Sequence, residues 1–466
     1  MHMADALVSP AVAVTMYAAS AAAAGVSLVQ LHKEEAAAPE LAKKKLPTMA
    51  VMSALVFAGQ MINYTIPGTG SSGHLCGGML LSAILGPWAG FLSMIVILAI
   101  QALFFADGGL LALGANVWNM AFYGCFVGYF LIYRPLMQGK LLSGKGRTKL
   151  VLASVLGCVV TLQLGALSVV VETSLSGITA LPFGAFAALM QPIHLAIGLV
   201  EGGITAAVLL FVYQTRPELL QCASASGAKN RCSRRAALAI LAAAALVIGG
   251  GLSLLASANP DGLEWSLFGN EEAGYSANMG LDEEAYGAES AAAEKAAAVQ
   301  EKTSLLPDYN FAGSDSAAGT SVSGLVGCAL VAALAALAGR LGLAGVALDL
   351  LHDALVVIAR RELLDGLDHA PDFPVADETA LHAQRLCTAD GQIEHIAAAE
   401  QFFRAGHIQD NARIDLACDR KGDARGDVRL DDAGDDVHRR ALGRDDEVDA
   451  RGARHLGQAA DGVLHL

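Results

Sequence analysis

The sequence has little charge, few aromatic side chains and no paired cysteines. Only 16% of its 466 residues are charged and 6% are aromatic, whereas 54% are hydrophobic. The eight cysteines include no Cys-x-x-Cys pair, which disfavours a disulfide framework or a zinc site. Soluble domains are about 45–50% apolar and about 25% charged. The composition therefore indicates a membrane protein, and nothing in it points to nucleic-acid binding.

The sequence also lacks a phosphate-binding loop. The segment GKLLSGKG at 139–146 approaches the pattern, but Gly146 stands where a Ser or Thr must bind magnesium, and no strand precedes it. We therefore expect that the chain does not hydrolyse ATP, so that active transport would need separate ATPase subunits.

Long apolar runs predict an all-α, polytopic helical bundle. A helix needs about 20 apolar residues to cross a bilayer. Such runs occur near 6–31, 46–66, 111–133, 149–171, 191–213, 235–257 and 322–345, and a longer run fills 75–106. The basic loops can share one side of the membrane only if 75–106 turns back near Gly86 and Pro87. The prediction is seven transmembrane helices before residue 216 and two after it.

Loop charge also predicts the orientation of these helices. The basic loops 32–45, 134–148 and 214–234 are expected in the cytoplasm, because positive charge favours that side. The N-terminus, the loop around His74 and the loop 258–320 are then expected outside.

Two histidines share the outer face in this arrangement. The α-amine of Met1, the amide and imidazole of His2, and the imidazole of His74 could supply four nitrogens. A planar nitrogen set suits Ni(II) or Cu(II). The alternative is that His2 is a disordered terminal residue and that His74 bonds to backbone. A cleaved signal peptide, which would remove His2, is disfavoured because no basic residue precedes the apolar run.

Polar side chains within the apolar segments are further candidates. His194 and Glu201 are seven residues apart on one helix face, and ionisable residues inside a membrane are functional candidates by default. Asn63 is a candidate for holding the loop that follows it, whereas Asn116 and Asn119 fit helix packing better. We interpret Asn63, His194 and Glu201 as residues that orient the site or couple it to movement, with packing as the alternative.

Three stretches of the sequence resemble one family. They are MHMADALVSP, QMINYTIPGTGSSGHLCGGMLLSAILGPW and QALFFADGGLLALGANVWNMAFYGCFVGY. They are similar to the CbiM/NikM family, the substrate-binding membrane components of energy-coupling-factor transporters for cobalt and nickel. The resemblance implies uptake of a divalent metal, with Met1, His2 and His74 as its ligands. It also implies a location in the cell membrane, two partner ATPase subunits and a transmembrane coupling subunit.

A second stretch, ASANPDGLEWSLFGN, resembles the PDGLE-type domain of NikN-like subunits. Together the resemblances imply a metal-binding transmembrane domain at 1–215, a basic cytoplasmic linker at 216–234 and a PDGLE domain with two transmembrane helices at 235–345. The loop of the last domain is acidic, so it either gathers cations or is simply a solvated loop.

The remaining segment, 346–466, differs in composition from the rest. It holds eight of the twelve histidines, is rich in Asp and Arg, and shows no clear helical period. We favour a functionless tail, disordered or translated out of frame, over a histidine-rich metal store.

The leading hypothesis for the whole chain is the substrate-specific component of an ATP-driven importer. The alternative is a membrane metal sensor or channel that needs no ATPase. The fused PDGLE domain and the planar nitrogen set favour Ni²⁺ over Co²⁺ as the cargo.

Overall fold

Long helices dominate the structure, a computed structural model that describes residues 2–138, 146–177, 182–222, 232–271, 273–274, 290–314, 316–343, 412–418 and 424–430. The sheets formed by these residues are two short hairpins, which the all-α prediction omits. The chain divides into two units, 1–351 and 352–466.

The first unit begins with a 3₁₀ turn at Asp5–Leu7 and contains all the described helices. In chain order the longer helices are α1 Pro10–Ala37, α2 Pro39–Gln60, α3 Gly78–Leu85, α4 Pro87–Phe105, α5 Leu113–Asn116, which continues as π-helix Val117–Tyr133 and as α6 Arg134–Gln138, then α7 Gly146–Ser176, α8 Phe183–Thr215, α9 Arg234–Gly250, α10 Gly262–Phe268, α11 Ala291–Thr303 and α12 Ala317–Leu343. Further 3₁₀ turns lie at Pro217–Leu219, Leu252–Leu255 and Pro307–Tyr309. A hairpin of β1 Tyr64–Ile66 and β2 Ser71–Gly73 lies between α2 and α3.

The described helices make the protein a multi-pass membrane protein. Six of them are long and apolar enough to cross a bilayer. Length and composition do not reproduce the predicted count of seven plus two, since three of the nine are missing from the six. The helix α2 begins with charged residues, α3 has eight residues and α9 has 17. At 1.5 Å per residue α3 is about 12 Å long, well short of a hydrocarbon core of about 30 Å. By itself α3 does not cross the membrane.

The predicted turn within 75–106 is present at Gly86. Its φ of 86° lies in the left-handed region that favours glycine. Pro87 then begins α4, where its missing N–H leaves no hydrogen bond unmade. The chain therefore reverses at the residues that the sequence indicated.

Glycines let α3 pack closely against the π-helix. A Cβ atom built on Gly124 would lie 2.9 Å from the Cα atom of Gly78, a distance that real side chains do not tolerate. Small residues allow this kind of close approach between membrane helices. This contact holds α3, which directly follows the His74 loop, inside the bundle.

The part of the chain that resembles the PDGLE domain, residues 235–345 and here called the PDGLE-like part, packs directly on residues 1–215. The Ser257 N–H donates to the Asn63 carbonyl at 2.7 Å, and the Ser72 N–H donates to the Pro260 carbonyl at 2.8 Å. These bonds join the segment before α10 to the β1–β2 hairpin. The segment therefore lies beside the loop that carries His74.

In the second unit the structure describes one antiparallel hairpin. Its strands are β3 Ala412–Cys418 and β4 Ala424–Leu430. The sequence pattern does not predict this hairpin. The other residues of the 346–466 segment lie outside the described ranges, so both interpretations of the tail stay predictions.

Candidate metal-binding site

The N-terminal segment is packed into the bundle. Met3, Leu7 and Val8 are fully buried. The Met3 N–H donates to Asn116 Oδ1 at 2.7 Å, and Asn116 Nδ2 donates to the Met3 carbonyl at 3.1 Å. Asn116 thus fixes the backbone of Met3 from both sides. The backbone that carries His2 is therefore held in place at its next residue. Met1 lies outside the described residues.

Polar groups at the end of α4 hold the His2 imidazole. Its Nδ1 lies 3.1 Å from Asp107 Oδ1, and its Nε2 lies 3.3 Å from Gln101 Oε1. Burial lowers the pKa of His2, although the Asp107 carboxylate acts in the opposite direction. A neutral ring has one N–H to donate, so its other nitrogen keeps a lone pair. The hydroxyl of Tyr309 donates to Asp107, which ties this environment to the PDGLE-like part.

His74 stacks on His2. The two ring centroids are 5.1 Å apart and the rings are inclined by 19°. The Nδ1–H of His74 donates to the Leu75 carbonyl at 3.0 Å, so the proton sits on Nδ1. Burial lowers the pKa of His74 to about 3, and His2 acts in the same direction. The ring is therefore neutral at physiological pH, which is the form that binds metal.

Glu201 anchors the backbone that follows His74. Its two carboxylate oxygens accept the N–H groups of Cys76 and Gly77 at 2.8 and 2.9 Å. Gly77 has a φ of 80°, and a Cβ atom there would lie 2.4 Å from Val56. The loop therefore needs glycine at 77 and an acceptor at 201. This contact gives Glu201 a role in orienting the loop.

The other two predicted residues, His194 and Asn63, differ in where they lie relative to His2 and His74. His194 is 1% exposed, and it lines a small cavity with His74 and Asp261. The backbone carbonyl of Asn63 binds Ser257 of the PDGLE-like part. His194 thus borders the site, whereas the contact given for Asn63 joins the two parts of the chain.

Sequence reasoning did not place Gln101, Asp107 or Asp261 near the histidines. Gln101 and Asp107 fall in the quoted stretch QALFFADGG but were not among the candidates, and Asp261 was considered only as part of the acidic loop 258–320. A carboxylate directly after an apolar run is a usable signal for a functional residue at a membrane face. No local signal relates Asp261 to His74, because 187 residues separate them (261 − 74).

The described side chains do not form a complete metal site by themselves. Within the described ranges, no group of three His, Cys, Asp or Glu residues is placed to hold a metal ion. Any further nitrogen donors must come from the backbone, such as the His2 amide. Lone pairs of imidazole lie in the ring plane, so the two stacked rings do not converge on an ion between them. Binding would require one ring to turn.

Comparison with known proteins divides the chain into two matched regions. Residues 2–219 match the family described as the cobalt uptake substrate-specific transmembrane region (CbiM), and residues 235–342 match the PDGLE domain. The chain is 34% identical over 343 residues to a putative fused nickel transport protein NikMN of Archaeoglobus fulgidus, covering 72% of this chain and 96% of that protein.

Two other relatives match more limited regions. The chain is 31% identical to the fused nickel transport protein NikMN of Rhodobacter capsulatus, covering 58% of this chain and 76% of that protein. It is 36% identical to the cobalt transport protein CbiM of Sorangium cellulosum, covering 37% of this chain and 76% of that protein.

Proposed function

Because this chain belongs to the CbiM family of metal-transport proteins, with a PDGLE domain fused after it, we propose that it is the substrate-specific component of an ATP-driven importer of Ni²⁺. Its relatives are transporters of nickel or cobalt, which makes it a metal transporter rather than an enzyme. Both fused relatives are named for nickel, and this favours Ni²⁺ over Co²⁺. We propose the boundaries 1–215, 216–234 and 235–345, and the matched regions 2–219 and 235–342 support a division into two such parts.

The pairing of His2 with His74 carries the proposal. The rings are 5.1 Å apart, buried and neutral, beside an N-terminal segment that Asn116 fixes. In the proposed chelate, the ion binds the Met1 amine, the His2 amide, the His2 imidazole and the His74 imidazole. Such a planar nitrogen set suits Ni(II). Loading turns the His2 ring away from Asp107.

Ni²⁺ uptake is expected to require partner proteins. The chain carries no phosphate-binding loop, so two ATPase subunits and a transmembrane coupling subunit must supply the energy. Vesicles that contain the full complex should accumulate ⁶³Ni²⁺ only when ATP is hydrolysed, and vesicles that contain this chain alone should not. Rapid, ATP-independent entry through the chain alone would support the alternative of a channel, and stable binding without any uptake by the complex would support a sensor.

We propose nine crossings with the N-terminus outside, in a cell membrane, in which α3 crosses together with the buried His74 loop that precedes it. Among the described cysteines of the first unit, Cys222 and Cys232 are partly exposed and the others are buried. In intact cells an impermeant maleimide should leave Cys222 and Cys232 unlabelled, since both lie in the proposed cytoplasmic linker region. An added cysteine at Ala298 on α11 should be labelled, and permeabilised cells should label all three. Labelling of Cys222 in intact cells would overturn the orientation.

Truncation after residue 345 is expected to leave Ni²⁺ uptake unchanged. The PDGLE match ends at residue 342, and every residue that we place at the site precedes that point. Uptake would be compared in cells that contain the partner subunits, with protein levels measured in the same samples. Loss of uptake at a normal protein level would show that 346–466 is a functional domain.

A further inference from the structure

A small cavity lies between His74 and the start of α10. His74, Cys76, His194 and Asp261 line it, together with apolar side chains and glycines. The volume open to the centre of a water molecule is about 10 Å³. This is close to the minimum that holds one water molecule. The cavity therefore has room for a single water or a single ion.

His194, which lines this cavity, has a buried ring nitrogen with no partner among the described residues. The ring is 1% exposed, and its Nδ1–H donates to the Met190 carbonyl at 2.8 Å. The proton is thereby placed on Nδ1, and the buried Nε2 has no hydrogen-bond partner among the described residues. Histidines that bind metals usually donate their other ring N–H to a carbonyl or carboxylate in this way. A buried nitrogen left without a partner costs free energy, so a ligand at Nε2 would relieve that cost.

Asp261, which directly precedes α10 in the PDGLE-like part, brings a carboxylate to the same cavity. Asp261 Oδ1 accepts the N–H groups of Leu263 and Glu264, both at 2.8 Å, and so caps α10. A Cβ atom on Gly262 would lie 3.2 Å from His194 Cε1 and 2.7 Å from Ile193. Glycine at 262 therefore lets the start of α10 approach the His194 ring. The carboxylate is positioned by the fold of α10 and not by chance contact.

We propose that this cavity is a second position for the transported divalent cation, bound by His194 Nε2 and the Asp261 carboxylate. The proposal rests on the proposed function only for the nature of the cation. One neutral imidazole and one carboxylate are suitable donors for a first-row divalent metal. Two protein ligands leave the other coordination positions to water, so the ion binds here more weakly than in the chelate. Such a site suits an ion on its way to or from the stacked pair.

The site can be tested by Ni²⁺ binding to the full-length protein purified with its native N-terminus. We expect one tight and one weaker equivalent in this first unit. His194→Ala should lose the weaker equivalent and keep the tight one, and the tight equivalent that remains reports that the protein is folded. Asp261→Asn should lose the weaker equivalent too. Asn is also a good helix N-cap, so this variant should preserve α10.

A matched control is available in α1. His32 also has a buried ring nitrogen without a partner, Nδ1, but it does not line the cavity. His32→Ala should therefore keep both equivalents. The eight histidines of the tail are the same in every variant, so any Ni²⁺ that they bind cancels in the comparison. Anomalous scattering from Ni²⁺ at the His194 ring would locate the weaker ion.

Two results would overturn the second site. One is a wild-type protein in which saturating Ni²⁺ produces no signal at His194, as expected if the cavity holds only water. The other is a weaker equivalent that survives in His194→Ala. The proposed chelate fails separately, because it predicts that a residue added before Met1 removes the tight equivalent alone. Survival of the weaker equivalent in His194→Ala thus contradicts the second site, and survival of the tight equivalent in the extended protein contradicts the chelate.

Discussion

Addition of one residue before Met1 is expected to abolish high-affinity Ni²⁺ binding without preventing membrane insertion. The extension leaves every side chain in place but moves the free amine by up to about 3.3–3.6 Å along the chain. The backbone cannot slide to compensate, because Asn116 holds Met3 through two hydrogen bonds at 2.7 and 3.1 Å. Loss of a residue that only hydrogen-bonds to a metal ligand costs about 10–100-fold in metal affinity. Loss of the amine itself should cost more than about 100-fold.

The measurement is competition binding with a chelator of known affinity for Ni²⁺. His2→Ala and His74→Ala should give losses of the same size, because each removes one proposed donor. His32→Ala, which removes a histidine that the proposed site does not use, should bind as the wild type does. Full binding by the extended protein would refute the chelate, since an imidazole-only site would not require the amine.

Glu201→Gln is expected to weaken Ni²⁺ binding by about 5- to 150-fold. Both oxygens of Glu201 accept backbone N–H groups, from Cys76 at 2.8 Å and from Gly77 at 2.9 Å. A glutamine has one oxygen, so its NH₂ group must face one of these donors. A buried donor left unsatisfied costs about 1–3 kcal/mol, which corresponds to that range of affinity. The His74 loop would lose its position rather than its ligand.

Glu172→Gln provides the matched control. Glu172 is also a buried glutamate on a membrane helix, and its Oε2 accepts one hydrogen bond, from Asn119 Nδ2 at 2.7 Å. A glutamine oxygen can accept the same bond, so Ni²⁺ affinity should be unchanged. Equal losses in the two variants would indicate general destabilisation, and unchanged affinity in Glu201→Gln would remove Glu201 from the site.

Several features follow from the sequence because they depend on local patterns. Apolar runs of helical length identify a polytopic membrane protein, and the matched families confirm the resemblance that the quoted stretches carry. The reversal at Gly86 is a local property too, since glycine adopts a positive φ and proline begins a helix. The number of crossings is harder to predict from the length of a run. The run 75–106 predicts two crossings, but its first helix has only eight residues, so the count stays a prediction.

The sequence by itself thus determined the family, the helical class and the two histidines at the centre of the proposed site. Only the tertiary structure decided what surrounds them. Asn116 meets Met3 across 113 residues, and Gln101 meets His2 across 99. The PDGLE-like part also places Asp261 in one cavity with His74 and His194. No periodicity encodes such contacts, because they join segments that lie far apart in the sequence.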